Sequence, residues 1–227
     1  MNARHPNLCP PRRLGSLPGN LPFLGMLVAA LLAVPTAQAM CLNAVFFDLG
    51  DTLVEAGGGG QFVLRAGAQQ TVDDLQAAGL QLGVITNVPD GWTRDDLEAI
   101  LEDPTFLDEF DVLVLSSQAP APKPDPLIYT HAHGLLPTAV PIGETAFVGE
   151  TLAEIADSEN APTSGARSVG MVGIHLSDAA PSPLADYTIP TDGLLDLVTL
   201  RETLCALFAD GFESGDTNAW DSTVSAR

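Results

Sequence analysis

Four short segments of this 227-residue chain each carry a residue able to do chemistry. Asp48 follows A-V-F-F, Thr86 follows L-G-V-I, Lys123 stands in P-A-P-K-P-D-P, and Glu150 follows A-F-V-G. A carboxylate, a hydroxyl, a cation and a second carboxylate around one point suit phosphoryl transfer. The first carboxylate attacks phosphorus, the hydroxyl and the ammonium hold equatorial oxygens, and the two carboxylates retain a divalent ion that offsets the charge. Oxygen-only ligation is what Mg²⁺ prefers. Lys123 is the only lysine of the whole chain, which argues that it has a role rather than an incidental place on the surface.

Those residues need elements to bring them together. Ala44–Phe47 is a short buried strand by its uninterrupted apolar run. Gly57–Gly60 turns a hairpin between Leu53-Val54 and Phe62-Val63-Leu64, and Ala66–Ala78 has helical spacing up to Gly79. Strands are expected at Leu82–Ile85, Val112–Leu115, Ala146–Val148, Val169–Ile174 and Tyr187–Ile189. Helices are expected around Thr93–Leu101, Leu127–His133 and Leu194–Leu207. Alternation of strands and helices predicts an α/β three-layer sandwich around a mostly parallel sheet. In such sheets ligands sit beyond the carboxyl ends of the strands, where all four candidates fall.

Composition narrows the range of partners. The 29 acidic and 9 basic side chains give a formal net charge of −20, and 46% of residues are hydrophobic, enough for one domain core. So acidic a chain is a poor partner for nucleic acid or anionic lipid. A small-molecule or extended phosphorylated substrate, or a metal, is compatible with it.

Residues 1–39 contain Arg4, Arg12 and Arg13 but no acidic residue, then an apolar stretch from Phe23 to Val34 and an A-Q-A end. This is the pattern of a signal peptide cleaved after Ala39, leading to the periplasm or outside the cell without stable membrane insertion. Translation starting at Met40 is the alternative. The expected organisation is therefore residues 1–39 as signal, 40–207 as the catalytic domain, and 208–227 as an acidic tail. After cleavage Cys41 and Cys205 remain; they form either one disulfide closing almost the whole chain or two ordinary buried thiols. His131, His133 and His175 have no metal-ligand spacing, so packed or solvated roles are expected for them.

V-F-F-D-L-G-D-T-L (45–53), V-I-T-N (84–87), K-P-D-P (123–126) and F-V-G-E (147–150) resemble, in order, the four motifs of the haloacid dehalogenase (HAD) superfamily of hydrolases. G-A-R-S-V-G-M (165–171) extends the likeness, which covers residues 43–200. It implies a HAD-like Rossmannoid sandwich and, because the gaps between motifs are short, no large cap domain. It also implies Asp48 as the nucleophile that forms an aspartyl-phosphate, Thr86 as hydrogen-bond donor to the phosphoryl group, and Lys123 as charge stabiliser. Mg²⁺ would be held by Asp48, the Gly50 carbonyl and Glu150. For Thr86, a helix N-cap role is the rival.

Two departures from the family pattern bear on activity. Where the phosphatases of this superfamily carry a second aspartate as general acid and base, this chain has Gly50, with Asp51 one place later. Loss of general acid help typically costs on the order of 10²–10⁴ in rate. The expected substrate is then one whose leaving group needs no proton, such as an acyl or aryl phosphate. Glu150 stands where Asp is usual, so Glu154 or Asp157 could complete the metal site, or Asp157 could replace Glu150; a solvated face is the competing reading for each. Two function classes follow: a Mg²⁺-dependent, phosphatase-like hydrolase, or a catalytically degenerate member that keeps metal or phosphate binding. Dehalogenation of a small organic acid would need no metal, and the short gaps and second carboxylate weigh against it.

Overall fold

A computed structural model describes residues 41–209. The signal segment 1–39 and the acidic tail beyond Ala209 lie outside the described residues. In chain order the elements are β1 (Ala44–Phe47), β2 (Val54–Ala56), β3 (Phe62–Leu64), α1 (Ala68–Ala77), β4 (Gln81–Thr86), α2 (Arg94–Glu98) and β5 (Val112–Leu115). They continue with α3 (Pro126–His133), β6 (Thr145–Gly149), α4 (Leu152–Ile155), β7 (Val172–Leu176), β8 (Tyr187–Ile189) and α5 (Asp196–Ala209). No helix among the described residues is long and apolar enough to cross a membrane.

Six strands form one sheet in the order β5-β4-β1-β6-β7-β8, every neighbouring pair parallel. The fold is α/β, as the alternation of elements predicts. Strand β1 lies in the middle, buried on both faces, which is why it reads as an unbroken apolar run rather than an alternating one. Its residues divide between two cores. Val45 and Phe47 join Leu82, Val84, Ala146 and Val148 on the face covered by Val72 and Leu75 of α1 and by Leu197 and Leu204 of α5. Phe46 joins Ile85 and Phe147 on the other face, under Ile128, Tyr129 and Ala132 of α3 and Ile155 of α4. The two faces with their helices make the three layers.

Gly83 shows how closely the strands are filled: a Cβ there would lie 2.3 Å from the Phe46 ring. The hairpin β2–β3 pairs antiparallel around the glycine turn. Its Phe62 exchanges backbone bonds with the segment after α2, Phe62 N–H to Ile100 O at 2.8 Å and Glu102 N–H to Phe62 O at 2.9 Å. The hairpin is therefore tied at its return strand.

Among the boundaries that differ from expectation, two lie at the later end of the domain. The strand expected from Val169 begins only at Val172, because Ala166–Val169 form a 3₁₀ turn that ends on Gly170 in the left-handed region, φ +91°. The helix expected to end at Leu207 runs to Ala209, two residues into the segment assigned to the tail. Cys41 and Cys205 are joined by a disulfide, Cα to Cα 4.4 Å, linking the lead-in to β1 with α5.

Candidate active site

The fold carries the chemistry at the carboxyl end of the sheet. Asp48 leaves β1 with its N–H donated to Val148 O of β6 at 2.8 Å, which fixes the backbone at the switch between the two halves of the sheet. Asp48 is 7% exposed. Its carboxylate accepts a hydrogen bond from the Lys123 ammonium.

Lys123 reaches this point because the loop after β5 is fixed on either side of it. Behind it, Asp125 caps α3 by accepting the Leu127 N–H at 2.9 Å, and Pro126 starts the helix with its φ already set. Beside it, Asn87 clamps the Lys123 backbone twice: Asn87 Nδ2 donates to Lys123 O at 3.0 Å, and Lys123 N–H donates to Asn87 Oδ1 at 2.9 Å. The ammonium is nearly inaccessible, lies 2.7 Å from Glu154 Oε2, and stands 5.5 Å from the Phe147 ring centroid. One lysine thus faces two carboxylates.

The third carboxylate is Glu150. It accepts from Thr52 Oγ1 at 3.1 Å and from Thr151 Oγ1 at 2.6 Å. Its backbone carbonyl is 2.9 Å from His175 Nε2, a packed histidine at the end of β7. Burial raises the Asp48 pKa to about 7; Lys123 opposes this, while Glu154 and Glu150 add to it. Burial also pushes Glu150 up, but the hydrogen bonds from Thr151, Asp48 and Thr52 outweigh it and hold the group below its ordinary value. Glu154 is raised, chiefly by burial, with Lys123 opposing.

Thr86 ends β4 and lines a cleft together with Leu49 and Gly50, the two residues that follow Asp48. No helix begins at Thr86; the next, α2, starts at Arg94 and is capped by Thr93. The N-cap alternative is therefore set aside. Asp157 does not join the group. Its carboxylate accepts the Thr163 N–H at 2.7 Å and Thr163 Oγ1 at 2.5 Å, on an exposed loop, and these bonds hold its pKa well down. This corrects the expectation that Asp157 could supply a metal ligand: its spacing in sequence is spent on a loop closure. Asp51 is exposed, φ +54°, and is not part of the cleft lining.

With that geometry in place, comparison with known proteins is decisive for the family. Residues 46–171 match the sequence profile of the haloacid dehalogenase-like hydrolases. The chain belongs to that family. A bovine (Bos taurus) haloacid dehalogenase-like hydrolase domain-containing protein 3 is 34% identical over 130 residues, 57% of this chain and 46% of that protein. The chain thus spans about half the length of that relative.

Solved structures similar to this HAD-like hydrolase share its fold. L-2-haloacid dehalogenase from Xanthobacter autotrophicus superposes with a TM-score of 0.54 at 15% identity, covering 71% of this chain and 99% of that one. An uncharacterised protein from Listeria monocytogenes serotype 4b gives 0.53 at 21% identity, covering 72% and 98%. CbbY from Rhodobacter sphaeroides, solved in complex with phosphate, gives 0.50 at 16% identity, covering 67% and 96%.

Whether a HAD-like site built from these residues suits Mg²⁺ can be asked of the donors themselves. Among the described residues no group of three or more Asp, Glu, His or Cys side chains is placed to hold a metal ion. What the site offers is two carboxylates at neighbouring strand ends, Asp48 and Glu150, with the third, Glu154, turned to Lys123. Mg²⁺ keeps several waters and takes one or two carboxylates, so an oxygen-only site with two of them fits it. Asp48, Glu150 and the Gly50 carbonyl would hold the ion.

Sequence reasoning left two supporting residues unassigned. Thr52 lies inside the first motif and Asn87 inside the second, so the motifs themselves carried the signal. His175, for which a packed or solvated role is expected, is buried and bonded to the Glu150 carbonyl.

Proposed function

We propose that the protein is a Mg²⁺-dependent, phosphatase-like hydrolase of capless type that works through an aspartyl-phosphate. The observation that carries this reading is the convergence of a buried aspartate, the sole lysine and Glu150 beyond the ends of central strands. The fold alone does not choose the chemistry, since it also serves a dehalogenase. The second carboxylate at Glu150 and the buried ammonium favour phosphate, because the carboxylate answers a divalent counter-ion and the ammonium a dianionic group.

In the first step an Asp48 carboxylate oxygen bonds to phosphorus as the ester P–O bond breaks, and the electron pair leaves with the departing oxygen. Water then attacks phosphorus, releasing inorganic phosphate and restoring the Asp48 carboxylate. Lys123 is held where it can offset charge on the transferring group, and Thr86 faces the cleft beside it. When bound, Mg²⁺ would supply charge neutralisation between Asp48 and the phosphoryl oxygens. Only the stretch from β2 to α1 separates the first two motifs, and only α2 with a 3₁₀ turn precedes β5, which supports the absence of a cap.

A second reading is a degenerate family member that retains binding without turnover. Gly50, which cannot donate a proton to a leaving group, favours it. Hydrolysis of an aryl phosphate by the purified protein, with and without Mg²⁺ and beside Asp48→Asn, separates the two. Activity that needs Mg²⁺ and is lost in the variant is expected; activity untouched by Asp48→Asn removes the aspartate from the mechanism.

Export to the periplasm or beyond belongs to the same reading. The Cys41–Cys205 pairing supports it, since such bonds persist in oxidising compartments. A mature N-terminus at Met40 in the cell-envelope fraction is the expected result, and recovery from cytosol alone would overturn it.

A further inference from the structure

Next to the acidic group lies a cleft of a different character. It has a volume of about 130 Å³ and is walled by the hairpin through Phe62, by the loop after β4 through Trp92, and by α2 and the segment after it through Leu97 and Ile100. None of its lining residues is charged, in a chain with 29 acidic side chains. Thr86 and Asn87 are its polar side chains, and both polar ends of Asn87 are already bonded to the Lys123 backbone. Gly50 and Thr86 belong to this lining, so the cleft opens from the place where a phosphoryl group would sit.

We infer that this cleft seats the leaving group, and that the substrates are aryl phosphomonoesters whose phenols are acidic enough to depart unprotonated. The inference rests on the phosphatase reading and adds the substrate class to it. Three observations converge on it. The volume is comparable with that of the roughly 150 Å³ apolar cavity known to take up benzene. The lining offers apolar and aromatic surface but no charged partner for a sugar phosphate, a nucleotide or an amino-acid side chain. Position 50 holds no proton donor, so an alkoxide would depart poorly there, whereas a phenoxide leaves with the electron pair of the P–O bond and takes its proton from water.

The cleft wall is also fixed rather than loose, because the backbone bonds between Phe62 and the segment after α2 tie the hairpin against it. Trp92 is held by its own backbone, with its N–H donated to Pro89 O at 3.1 Å and its carbonyl accepting from Ser117 Oγ at 2.5 Å. Its side chain can therefore be changed without releasing the loop. Trp92 is a specificity-determining residue on this account, not a catalytic one.

The test measures binding apart from turnover. Phenylphosphonate and methylphosphonate, which share the phosphoryl end and cannot be hydrolysed, are titrated calorimetrically into the purified protein with Mg²⁺ present. Phenylphosphonate should bind at least about tenfold tighter; Trp92→Ala should weaken it roughly three- to tenfold while leaving methylphosphonate unchanged, and Trp92→Phe should restore most of the loss. In turnover, phenyl phosphate should be preferred by kcat/KM to hexafluoroisopropyl phosphate, a non-aromatic ester whose leaving group is of similar acidity.

Equal affinity for the two phosphonates, or equal kcat/KM for the two esters, with Asp48-dependent hydrolysis intact, overturns the aryl assignment and leaves the phosphoryl site standing. Failure of both phosphonates to bind, with hydrolysis indifferent to Asp48→Asn, overturns the phosphatase reading itself.

Discussion

Asp48 is a residue placed where its charge is costly. Its carboxyl holds a proton to about pH 7 in the folded chain, against an ordinary value of 3.8. Between those values the folded state binds more protons than the unfolded one, so stability falls as pH rises through that window. Above pH 7 the full burden is present, with a ceiling of about 4 kcal/mol at 1.36 kcal/mol for each pKa unit. Asp48→Asn should therefore stabilise the metal-free protein at pH 8 and leave it nearly unchanged at pH 4, while abolishing hydrolysis. Urea unfolding in chelator at the two pH values checks this; no gain at pH 8 would mean that the carboxylate is not confined as described. Gly50 makes the complementary case. A Cβ there meets nothing within 4 Å and its φ is not positive, so a side chain can be added without strain. Gly50→Asp should supply the missing proton donor and raise kcat for alkyl phosphates by roughly tenfold or more, with a smaller effect on aryl phosphates. An unchanged ratio between the two substrate types would remove position 50 from leaving-group chemistry.

At the scale of elements, the loops do the positioning, and this is also where sequence reading succeeds unevenly. β1, β5 and β8 are legible because continuous apolar or β-branched runs bounded by turn residues have few other solutions. The four-residue α4 is not: it is too short to show helical periodicity, yet it carries Glu154 to Lys123. The first and second motifs pointed to Asp48 and Thr86, whereas the choice between Glu154 and Asp157 needed the loop that turns Asp157 back onto Thr163. Gly165 is the hinge of that region. Its φ is +79°, a Cβ would lie 2.6 Å from the Ile155 carbonyl carbon and oxygen, and its N–H donates to Pro124 O at 2.8 Å, next to Lys123. Gly165→Ala should destabilise the fold by about 1–3 kcal/mol and lower activity with it. Gly143→Ala, where a Cβ meets nothing within 4 Å, should stay within about 0.5 kcal/mol in the same denaturant titration. Equal effects at the two glycines would show that the backbone around Gly165 is not under this constraint.

The whole molecule has to hold a crowded acidic site in a chain of formal charge −20, so its ends matter. The Cys41–Cys205 bond joins residues 164 apart and ties the last helix to the strand that delivers Asp48. Closing so long a loop restricts the unfolded chain by an amount worth about 5 kcal/mol in the chain-entropy treatment. Reduction should therefore lower Tm by on the order of 10 °C or more. Cys205→Ser should reproduce that loss without reductant and then show no further shift when reductant is added. Because the bond lies at the opposite end of β1 from Asp48, hydrolysis at 25 °C should persist in the reduced protein well below its lowered Tm. A Tm insensitive to reductant in the unmodified chain would leave the two cysteines as separate buried thiols and withdraw their support for an oxidising compartment.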